Sequence, residues 1–306
     1  KKAFGTIRGY LRRVNDIFRL NKFGIVYVFM WVTPFGTSLF ERIFRFLSQS
    51  LIYDIEDNAM IAQSSSLNSI TRIFKSSEKI TFLIKHSDHV ITSSPFLNND
   101  CIKLNKKKSA TFISDAINLE RYIPNNPYSN DKIVIIGWTG TFSSMMYLDL
   151  LKNVFLELNK RIDFRLRVIG NFHYELPGID LEVINWTKAN EIQDLQGIDI
   201  GIYPLTQDEW VLGKSGLKAL QYMAMGLPTV ATNVGTNPGI ISHMKNGLLV
   251  KTEQEWVEAL EVLITNPNLR AKIGTEARKK IIKNYSIEAT QDKYLLILNK
   301  LISNKI

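Results

Sequence analysis

Apolar residues follow two alternating patterns along this chain. Short runs of β-branched and aromatic residues are typical of buried strands, and the segments between them carry apolar residues at helical spacing. The predicted strands span residues 24–30, 51–55, 89–92, 110–114, 132–136, 164–169, 181–184, 198–203, 229–231 and 248–250. The predicted helices span residues 5–20, 39–47, 80–86, 95–104, 145–158, 189–195, 214–225 and 253–264, with two more helical segments after them. This alternation predicts an α/β fold with parallel, doubly wound sheets.

A stretch without periodicity divides the pattern. Residues 124–130 are rich in Pro and Asn, which is typical of a linker. Because 306 residues suit two domains, we predict an N-terminal domain over residues 1–125 and a C-terminal domain over residues 126–285. No apolar run reaches the ~18 residues of a membrane span. The chain begins Lys-Lys-Ala-Phe with no initiator Met, which predicts that a preceding segment is missing.

Basic charge is concentrated in the first half. Residues 1–130 hold 18 Lys/Arg and 10 Asp/Glu, a net of +8, whereas residues 131–306 hold 20 and 19, a net of +1. A basic half suits anionic lipid, nucleic acid or a phosphorylated substrate, and a plain solvated basic surface explains it equally well. Residues 5–20 predict an amphipathic basic helix that suits an anionic membrane or a lipid-diphosphate acceptor. Its arginines are Arg8, Arg12, Arg13 and Arg19.

The chain lacks the residues of a disulfide framework or a zinc centre. Cys101 is the one cysteine, which excludes an intrachain disulfide and fits a reducing compartment. The four histidines are scattered and show no zinc spacing. We therefore expect no metal and no cofactor.

Small and polar residues follow several second-half strands, at the edge where doubly wound domains bind ligands. The first such loop contains Thr139, Gly140 and Thr141, and its glycines would let the backbone approach a phosphate at a helix N-terminus. Gly170-Asn171 and Asn185-Trp186-Thr187 follow the next two strands. A capped strand–helix turn, turn chemistry and a core Trp explain these loops taken singly. Together they favour a binding site.

The most suggestive loop is Gly213-Lys214-Ser215-Gly216, which opens the predicted helix 214–225. A lysine in a first helical turn opposes the helix dipole, and its natural use is to meet a bound phosphate together with the exposed N–H groups. The alternative, a lysine pointing to solvent, is weakened by the small flanking residues. Lys218 and Gln221 fall along the same helix face.

Taken in order, these runs resemble retaining glycosyltransferases of the GT-B fold, in the large bacterial "group 1" that builds polysaccharide and lipopolysaccharide. The second-half runs are 136–141 (IGWTGT), 186–205 ending in DIGIYPL, 213–226 (GKSGLKALQYMAMG), 228–232 (PTVAT) and 246–248 (NGL). The first-half runs are 53–57 (YDIED), 87–94 (SDHVITSS) and 113–122 (ISDAINLERY). The likeness covers about residues 25–290.

The resemblance implies two Rossmann-like domains facing a cleft, with residues 286–306 crossing back to an N-terminal domain that here lacks its first strand and loop. It implies transfer of a sugar, with retention, from a nucleotide-diphosphate sugar to a hydroxyl of a saccharide or lipid-linked acceptor. The setting would be cell-surface polysaccharide or glycolipid synthesis in the cytoplasm, with the basic half at the inner face of an anionic membrane.

The resemblance also implies site roles. Lys214, Ser215 and Gly216 would contact the diphosphate, with Lys214 stabilising its charge as it leaves. Residues 185–187 would border the base and Gln221 the ribose. The full set of implied donor contacts is Thr139, Gly140, Thr141, Gly170, Asn171, Asn185, Trp186, Thr187, Lys214, Ser215, Gly216, Leu217 and Gln221.

One departure from the family concerns catalysis. Many relatives carry a Glu-x7-Glu pair whose positions here hold Gly213 and Gln221, while Lys214 and Lys218 match a variant found in part of the group. For a catalytic acid or base we name Asp57, in an acidic cluster that ends a first-half strand, with a solvated turn as the alternative.

Three other classes remain open. A non-catalytic sugar-nucleotide-binding relative would explain the missing carboxylates, and a GT-B sugar-nucleotide epimerase would use the same donor site. Nucleic-acid binding is disfavoured, because no recognised module appears and the basic residues lack aromatic interleaving.

Overall fold

The chain forms two compact units in the computed structural model, which describes residues 2–58, 77–124 and 133–303. Unit 1 comprises Lys1–Ser114, Leu212–Ser215 and Gln291–Ile306, and unit 2 comprises Asp115–Val211 and Gly216–Thr290. The first division between the units therefore falls ahead of the predicted boundary at residue 125. Except for Pro124, the predicted linker 124–130 lies outside the described residues.

Unit 1 contains a sheet whose described strands are all parallel, in the order β1-β2-β3-β4. The strands are β1 (Val26–Phe29), β2 (Leu51–Ile55), β3 (His89–Thr92) and β4 (Ala110–Phe112). The helices before and between them are α1 (Lys2–Ile17), α2 (Leu39–Leu47), α3 (Ser77–His86) and α4 (Pro95–Leu104), with a 3-10 turn at Leu20–Lys22.

Both faces of the central strands of unit 1 are covered. Tyr53 on β2 packs with Leu83 and Leu97 of the helices on one face. On the other face, Ile52 and Ile91 pack against Ile297, from the end of the chain. A parallel sheet covered on both faces explains why these strands read as continuous apolar runs rather than alternating ones.

Unit 2 is built on a six-stranded parallel sheet with the order β10-β9-β8-β5-β6-β7. Its strands are β5 (Ile135–Thr139), β6 (Arg165–Ile169), β7 (Asp180–Ile184), β8 (Ile200–Tyr203), β9 (Thr229–Thr232) and β10 (Leu248–Val250). The remaining helices are α5 (Met145–Asp149), α6 (Lys152–Asn159), α7 (Glu191–Gln196), α8 (Glu209–Leu212), α9 (Leu217–Ala224), α10 (Asn237–Ile240), α11 (Glu253–Thr265), α12 (Pro267–Asn284) and α13 (Ile287–Ser303).

Local capping chemistry sets several helix starts. Thr252 accepts a hydrogen bond from the Glu255 amide at 3.2 Å, and the Glu255 carboxylate accepts one from the Thr252 amide at 3.2 Å. This reciprocal pair starts α11. At α4, the Ser94 hydroxyl accepts from the Leu97 amide at 3.1 Å ahead of Pro95, whose fixed φ suits a first helical position.

Several predicted element bounds were wrong, including the starts of α1 and α3, which lie three residues earlier than predicted. Three others have a direct physical reason. The predicted helix 145–158 is broken at Leu150 and Leu151, whose amides bond three residues back and bury Leu151 beside Leu148. The strand predicted at 132–136 runs instead through Thr139, because Gly137 and Trp138 pair with β6 and stay buried. The helix predicted from residue 214 begins at Leu217, because Gly216 has a left-handed φ of 82° that a helix cannot contain.

Candidate functional site

The strand order of unit 2 reverses beside β5. The chain runs outward from β5 through β6 to β7, returns to the other side of β5 at β8, and continues through β9 to β10. In doubly wound domains, ligands bind outside the carboxyl ends of the strands at such a switch point. A ligand of unit 2 is therefore expected at the carboxyl ends of β5 and β8.

Lys218 lies at this switch point. Its ammonium is 5.5 Å from the ring centre of Trp138 on β5 and 5.8 Å from the ring centre of Tyr203 on β8. Both rings are buried, so a cation–π contact holds the charge over the junction of the two strands. A cation next to dry aromatic surface interacts more strongly with an anion than one in water does.

Two glycines shape the loops that follow β5 and β6 at the same edge. A side chain at Gly170 would meet the carbonyl oxygen of Gly140 at 2.6 Å, and one at Gly140 would meet the Trp138 ring and the Ser144 hydroxyl. The amide of Gly140 donates to the Ile169 carbonyl at 3.0 Å, which extends the ladder past the strand ends. Glycine is thus required at both positions by close packing within the protein.

A buried tyrosine ties this edge to α9. The Tyr222 hydroxyl accepts a hydrogen bond from the Thr139 amide at 2.8 Å, and the Tyr222 side chain is 0% exposed. Burial, which outweighs the effect of this hydrogen bond, raises the pKa of the phenol. The hydroxyl therefore stays protonated and holds the end of β5 in one position.

The loop after Thr139 is ordered by hydroxyl groups. The Thr141 amide donates to the Ser144 hydroxyl at 2.9 Å, and the hydroxyls of Thr141 and Ser143 lie 2.9 Å apart. Thr141 is exposed. The two hydroxyls are thus available to a ligand beside Gly140.

Lys214 differs from its predicted setting. It precedes the first turn of α9 rather than lying in it, and Lys218 occupies that turn. Lys214 is half-buried, Ser215 is buried, and both belong to the segment Leu212–Ser215 that groups with unit 1. The dipole argument made for Lys214 therefore applies to Lys218, while the role of Lys214 stays a prediction.

Gly216 and Leu217 form the start of α9 itself. A Cβ on Gly216 would meet Ile240 at 2.5 Å and the Thr236 hydroxyl at 3.0 Å, in addition to its left-handed backbone. Leu217 is exposed at 38%. The first amides of α9 are consequently not covered by a side chain at the cap, and helix N-termini favour anions.

The predicted base and ribose contacts lie on neighbouring elements. Asn185, Trp186 and Thr187 follow β7 and are exposed, with Trp186 at 37%. Asn171, after β6, is also exposed. A surface Trp at a strand end is available for stacking, which favours the binding interpretation over a core role.

Gln221 is held in a polar network. Its amide nitrogen donates to the Tyr122 hydroxyl at 2.6 Å and to Glu191 at 3.4 Å. Arg121 forms an ion pair with the same Glu191. Although the sequence has no carboxylate at position 221, the fold brings Glu191 beside it.

The carboxyl edge of unit 1 carries Asp57. It lies two residues beyond β2 and has a left-handed φ of 60°, a strained conformation for a residue other than glycine. Also in unit 1, a Cβ on Gly213 would meet the Asn58 backbone nitrogen at 2.6 Å. No larger residue, and hence no glutamate, fits at position 213 without displacing Asn58.

A sizeable cavity of unit 2 lies away from this site. It encloses about 550 Å³ and lies along β10 and α11, three strands away from β5. Glu255 and Glu258 line it, and carboxylates disfavour a phosphorylated ligand. Among the described residues no cluster of His, Cys, Asp and Glu is arranged to hold a metal ion.

The family model described as "Glycosyl transferases group 1" matches residues 133–266. The matched stretch runs from β5 through α11 and contains the whole sheet of unit 2. The switch point with Lys218, Gly140 and Gly170 thus lies inside the stretch that matches this model.

A curated relative shows a similar likeness. "Glycosyltransferase 1 domain-containing protein 1" of Xenopus tropicalis is 32% identical over 161 residues, which are 45% of this chain and 47% of that protein. The matched regions span less than half the length of the curated relatives, among them a trehalose synthase and a D-inositol 3-phosphate glycosyltransferase.

Solved structures extend the likeness to the whole fold. Sucrose-phosphate synthase from Thermosynechococcus elongatus aligns with a TM-score of 0.70 at 14% identity, covering 92% of this chain and 75% of that one. Alr3699/HepE from Anabaena, in complex with UDP-glucose, aligns with a TM-score of 0.69 at 13% identity, covering 94% and 82%. These likenesses confirm the predicted fold class, two Rossmann-like α/β domains of the GT-B type.

Three residues of unit 2 contribute more to the site than their sequence signals indicated. The sequence places Lys218 on the same helix face as Lys214 and matches both to a variant of the family motif, whereas it gives no role to Tyr222 or Glu191. The importance of all three comes from contacts with β5 and with Gln221, which join residues at least 30 positions apart.

Proposed function

We propose that the protein is a glycosyltransferase that moves a sugar from a nucleotide-diphosphate sugar to the hydroxyl of an acceptor. The observation that carries the proposal is Lys218, held over β5 and β8 at the switch point of a group 1 glycosyltransferase domain. The fold relative solved with UDP-glucose supports a nucleotide-diphosphate sugar as donor.

The reaction leaves a diphosphate that gains negative charge as the glycosidic bond to it breaks. Preorganised cations and N–H dipoles at that position lower the barrier. In this proposal, Lys218 and the first amides of α9 hold the diphosphate, and the backbone at Gly140 and Gly170 approaches it. Lys214 adds a second cation, and no metal or cofactor takes part.

Donor recognition would use the elements around Gln221. Trp186 and its neighbours Asn185 and Thr187 border the base, while Gln221 and the adjacent Glu191 face the ribose hydroxyls. We further propose, from the resemblance, that the anomeric configuration is retained. The acceptor is a saccharide or lipid-linked saccharide of cell-surface polysaccharide or glycolipid synthesis, and Asp57 of unit 1 serves its hydroxyl.

A thermal-shift screen tests the donor. UDP, GDP, ADP, CMP and their sugars are added in turn, and a ligand that binds the folded protein raises its unfolding midpoint. We expect one nucleoside diphosphate and its sugar to raise the midpoint in a concentration-dependent way. If none of them does, the proposed function is wrong.

Two variants then test the cations. Lys218→Met should weaken binding of the active nucleoside diphosphate about tenfold or more, and Lys214→Ala should lower turnover by roughly 10²-fold, as expected for loss of one preorganised electrostatic group. Lys272→Met, an exposed lysine on α12, is the matched control and should change neither quantity. Wild-type kinetics in Lys214→Ala would remove that residue from the mechanism.

A non-catalytic sugar-nucleotide-binding protein is the second candidate. It is favoured by Gly213, because the close approach of Asn58 excludes the glutamate found there in many relatives. Titration calorimetry combined with a donor-hydrolysis assay separates the two. Binding without turnover would establish the second candidate, and conversion of the sugar nucleotide without an acceptor would instead indicate an epimerase.

A further inference from the structure

Helix α1 carries an exposed apolar stripe. Its members are Ile7, Leu11, Val14 and Phe18, exposed at 59%, 65%, 42% and 75%. They are spaced four, three and four residues apart, which places the first three along one side of the helix, with Phe18 in line just after its last residue. Exposing large apolar side chains to water costs free energy, so a contiguous exposed stripe indicates a binding surface.

The rest of α1 is anchored to unit 1. Tyr10 packs edge-on against Phe40 with ring centres 5.8 Å apart, and its hydroxyl donates to the Phe35 carbonyl. Ile17 packs against the core of unit 1. Because this neighbouring face of the helix is occupied, the helix cannot rotate to bury the stripe, which stays exposed.

The charges beside the stripe are almost all positive. Arg8 and Arg12 follow Ile7 and Leu11 directly, so each lies about 100° further around the helix, and both are exposed, as is Arg19. The one acidic residue of α1, Asp16, is neutralised by Arg13 at 2.7 Å. An apolar stripe flanked by arginines is complementary to a surface that combines hydrocarbon with negative charge.

We propose that α1 docks the protein on an anionic lipid bilayer, with the stripe inserted at the acyl boundary and the arginines among the headgroups. Nucleic acid offers negative charge but no hydrocarbon for the stripe, and a second copy of α1 would bring arginines against arginines. No helix in the described ranges is long and apolar enough to cross a membrane, and the proposed contact requires none.

The docking surface is connected to the carboxyl edge of unit 1. The Phe35 carbonyl that receives the Tyr10 hydroxyl belongs to the loop after β1, and the buried Lys79 donates to the same carbonyl at 2.7 Å and to the Thr33 carbonyl at 2.9 Å. Docking of α1 would therefore hold this loop near the bilayer. If the proposed glycosyltransferase function holds, on which this step alone rests, the acceptor is carried on a lipid.

Vesicle sedimentation tests the docking without any transfer reaction. The full chain is mixed with vesicles of phosphatidylcholine alone or with a quarter phosphatidylglycerol, at low and high salt. We expect binding to the anionic vesicles that high salt weakens. Leu11→Gln with Phe18→Gln should abolish it, and Arg8→Gln with Arg12→Gln should weaken it about fivefold per arginine.

Matched substitutions on unit 2 serve as controls. Ile282→Gln, at a side chain 48% exposed on α12, and Lys272→Gln with Lys283→Gln, both exposed, should leave vesicle binding unchanged. Circular dichroism spectra must match the wild type for each variant, and a variant that unfolds is replaced by the single substitution Leu11→Ser.

Two results would overturn the proposal. The first is a failure of vesicle binding by this stripe, seen either as wild-type protein that stays in the supernatant with anionic vesicles or as a stripe variant that binds them as well as the wild type. The second is a wild-type protein that self-associates and does not bind vesicles, with the self-association lost in the stripe variant. That result would show that a second copy covers the stripe. A positive vesicle result with a negative nucleotide screen would leave the docking standing and refute only the proposed function.

Discussion

Replacing Tyr222 by phenylalanine should destabilise unit 2 through one missing oxygen. The Tyr222 hydroxyl receives the Thr139 amide at 2.8 Å inside a site that water does not reach, since the side chain is 0% exposed. Phenylalanine fills the same volume and opens no cavity, so the loss is confined to the hydrogen bond. A buried N–H left without a partner costs about 1–3 kcal/mol, and we expect the free energy of unfolding to fall by that amount.

Urea unfolding monitored by circular dichroism measures this fall in the free energy of unfolding. Hydrogen exchange measured by mass spectrometry locates the destabilised region, because peptides covering β5 should exchange faster while those covering α12 should not. Tyr285→Phe is the control: its hydroxyl donates at 3.2 Å to the carbonyl of Gly239, which is exposed and can bind water instead. If both variants lose the same small free energy, or if β5 keeps its protection, the account of Tyr222 as the anchor of Thr139 is wrong.

Two further predictions concern buried ionisable groups. Burial, and to a smaller extent the nearby Lys300, lower the pKa of His89 to about 4. This pKa is below the ~6.5 of a histidine in an unfolded chain. The wild type should therefore lose stability as the pH falls from ~6.5 toward 4, by at most about 1.4 kcal/mol per pH unit. Urea unfolding at pH 7.0 and 5.5 should show a smaller loss for His89→Gln than for wild type, and an equal loss would contradict this. Arg270, 2% exposed, donates to the Leu263 and Ile264 carbonyls at 2.6 and 2.7 Å, so Arg270→Met should lower the free energy of unfolding by about 1.5–3 kcal/mol. A melting midpoint equal to that of the exposed Arg161→Met variant would show that these bonds contribute little.

The existence and type of the long elements followed from hydrophobic spacing alone. Strand β2 and helix α11 lie within one residue of their predicted bounds, because their apolar patterns are uninterrupted and their ends carry clear caps or turns. Two of the misplaced bounds share a cause. At β5 and α9 the ends are set by glycines, and whether a glycine continues an element or ends it depends on its backbone angle and on its neighbours.

The histidine at position 89 shows the same limit. From the sequence it is only one of four scattered histidines. The structure buries it at 8% exposure, between the hydroxyls of Ser109 at 2.7 Å and Thr111 at 3.0 Å. Those partners lie just before β4 and on it, and strand pairing cannot be predicted from local composition.

The candidate site divides in a similar way. The residue types were visible in the sequence, since small residues after successive parallel strands must collect at one edge of a sheet. The sequence did not show which of the two lysines lies in the first turn of α9. Lys214 was predicted to lie there, but the helix begins after the left-handed Gly216, so Lys218 occupies that turn.

What the sequence determined by itself is the α/β class, the ordered motifs that resemble those of group 1 glycosyltransferases, and the amphipathic, basic character of its first helix. These properties depend on neighbours within a few residues, which the chain carries in linear order. What only the tertiary structure decided is which cation lies at the switch point, which carboxylate lies beside Gln221, and which face of α1 stays uncovered. Each of these depends on contacts between residues far apart in the chain, and such contacts exist only once the sheets have paired and the helices have packed on them.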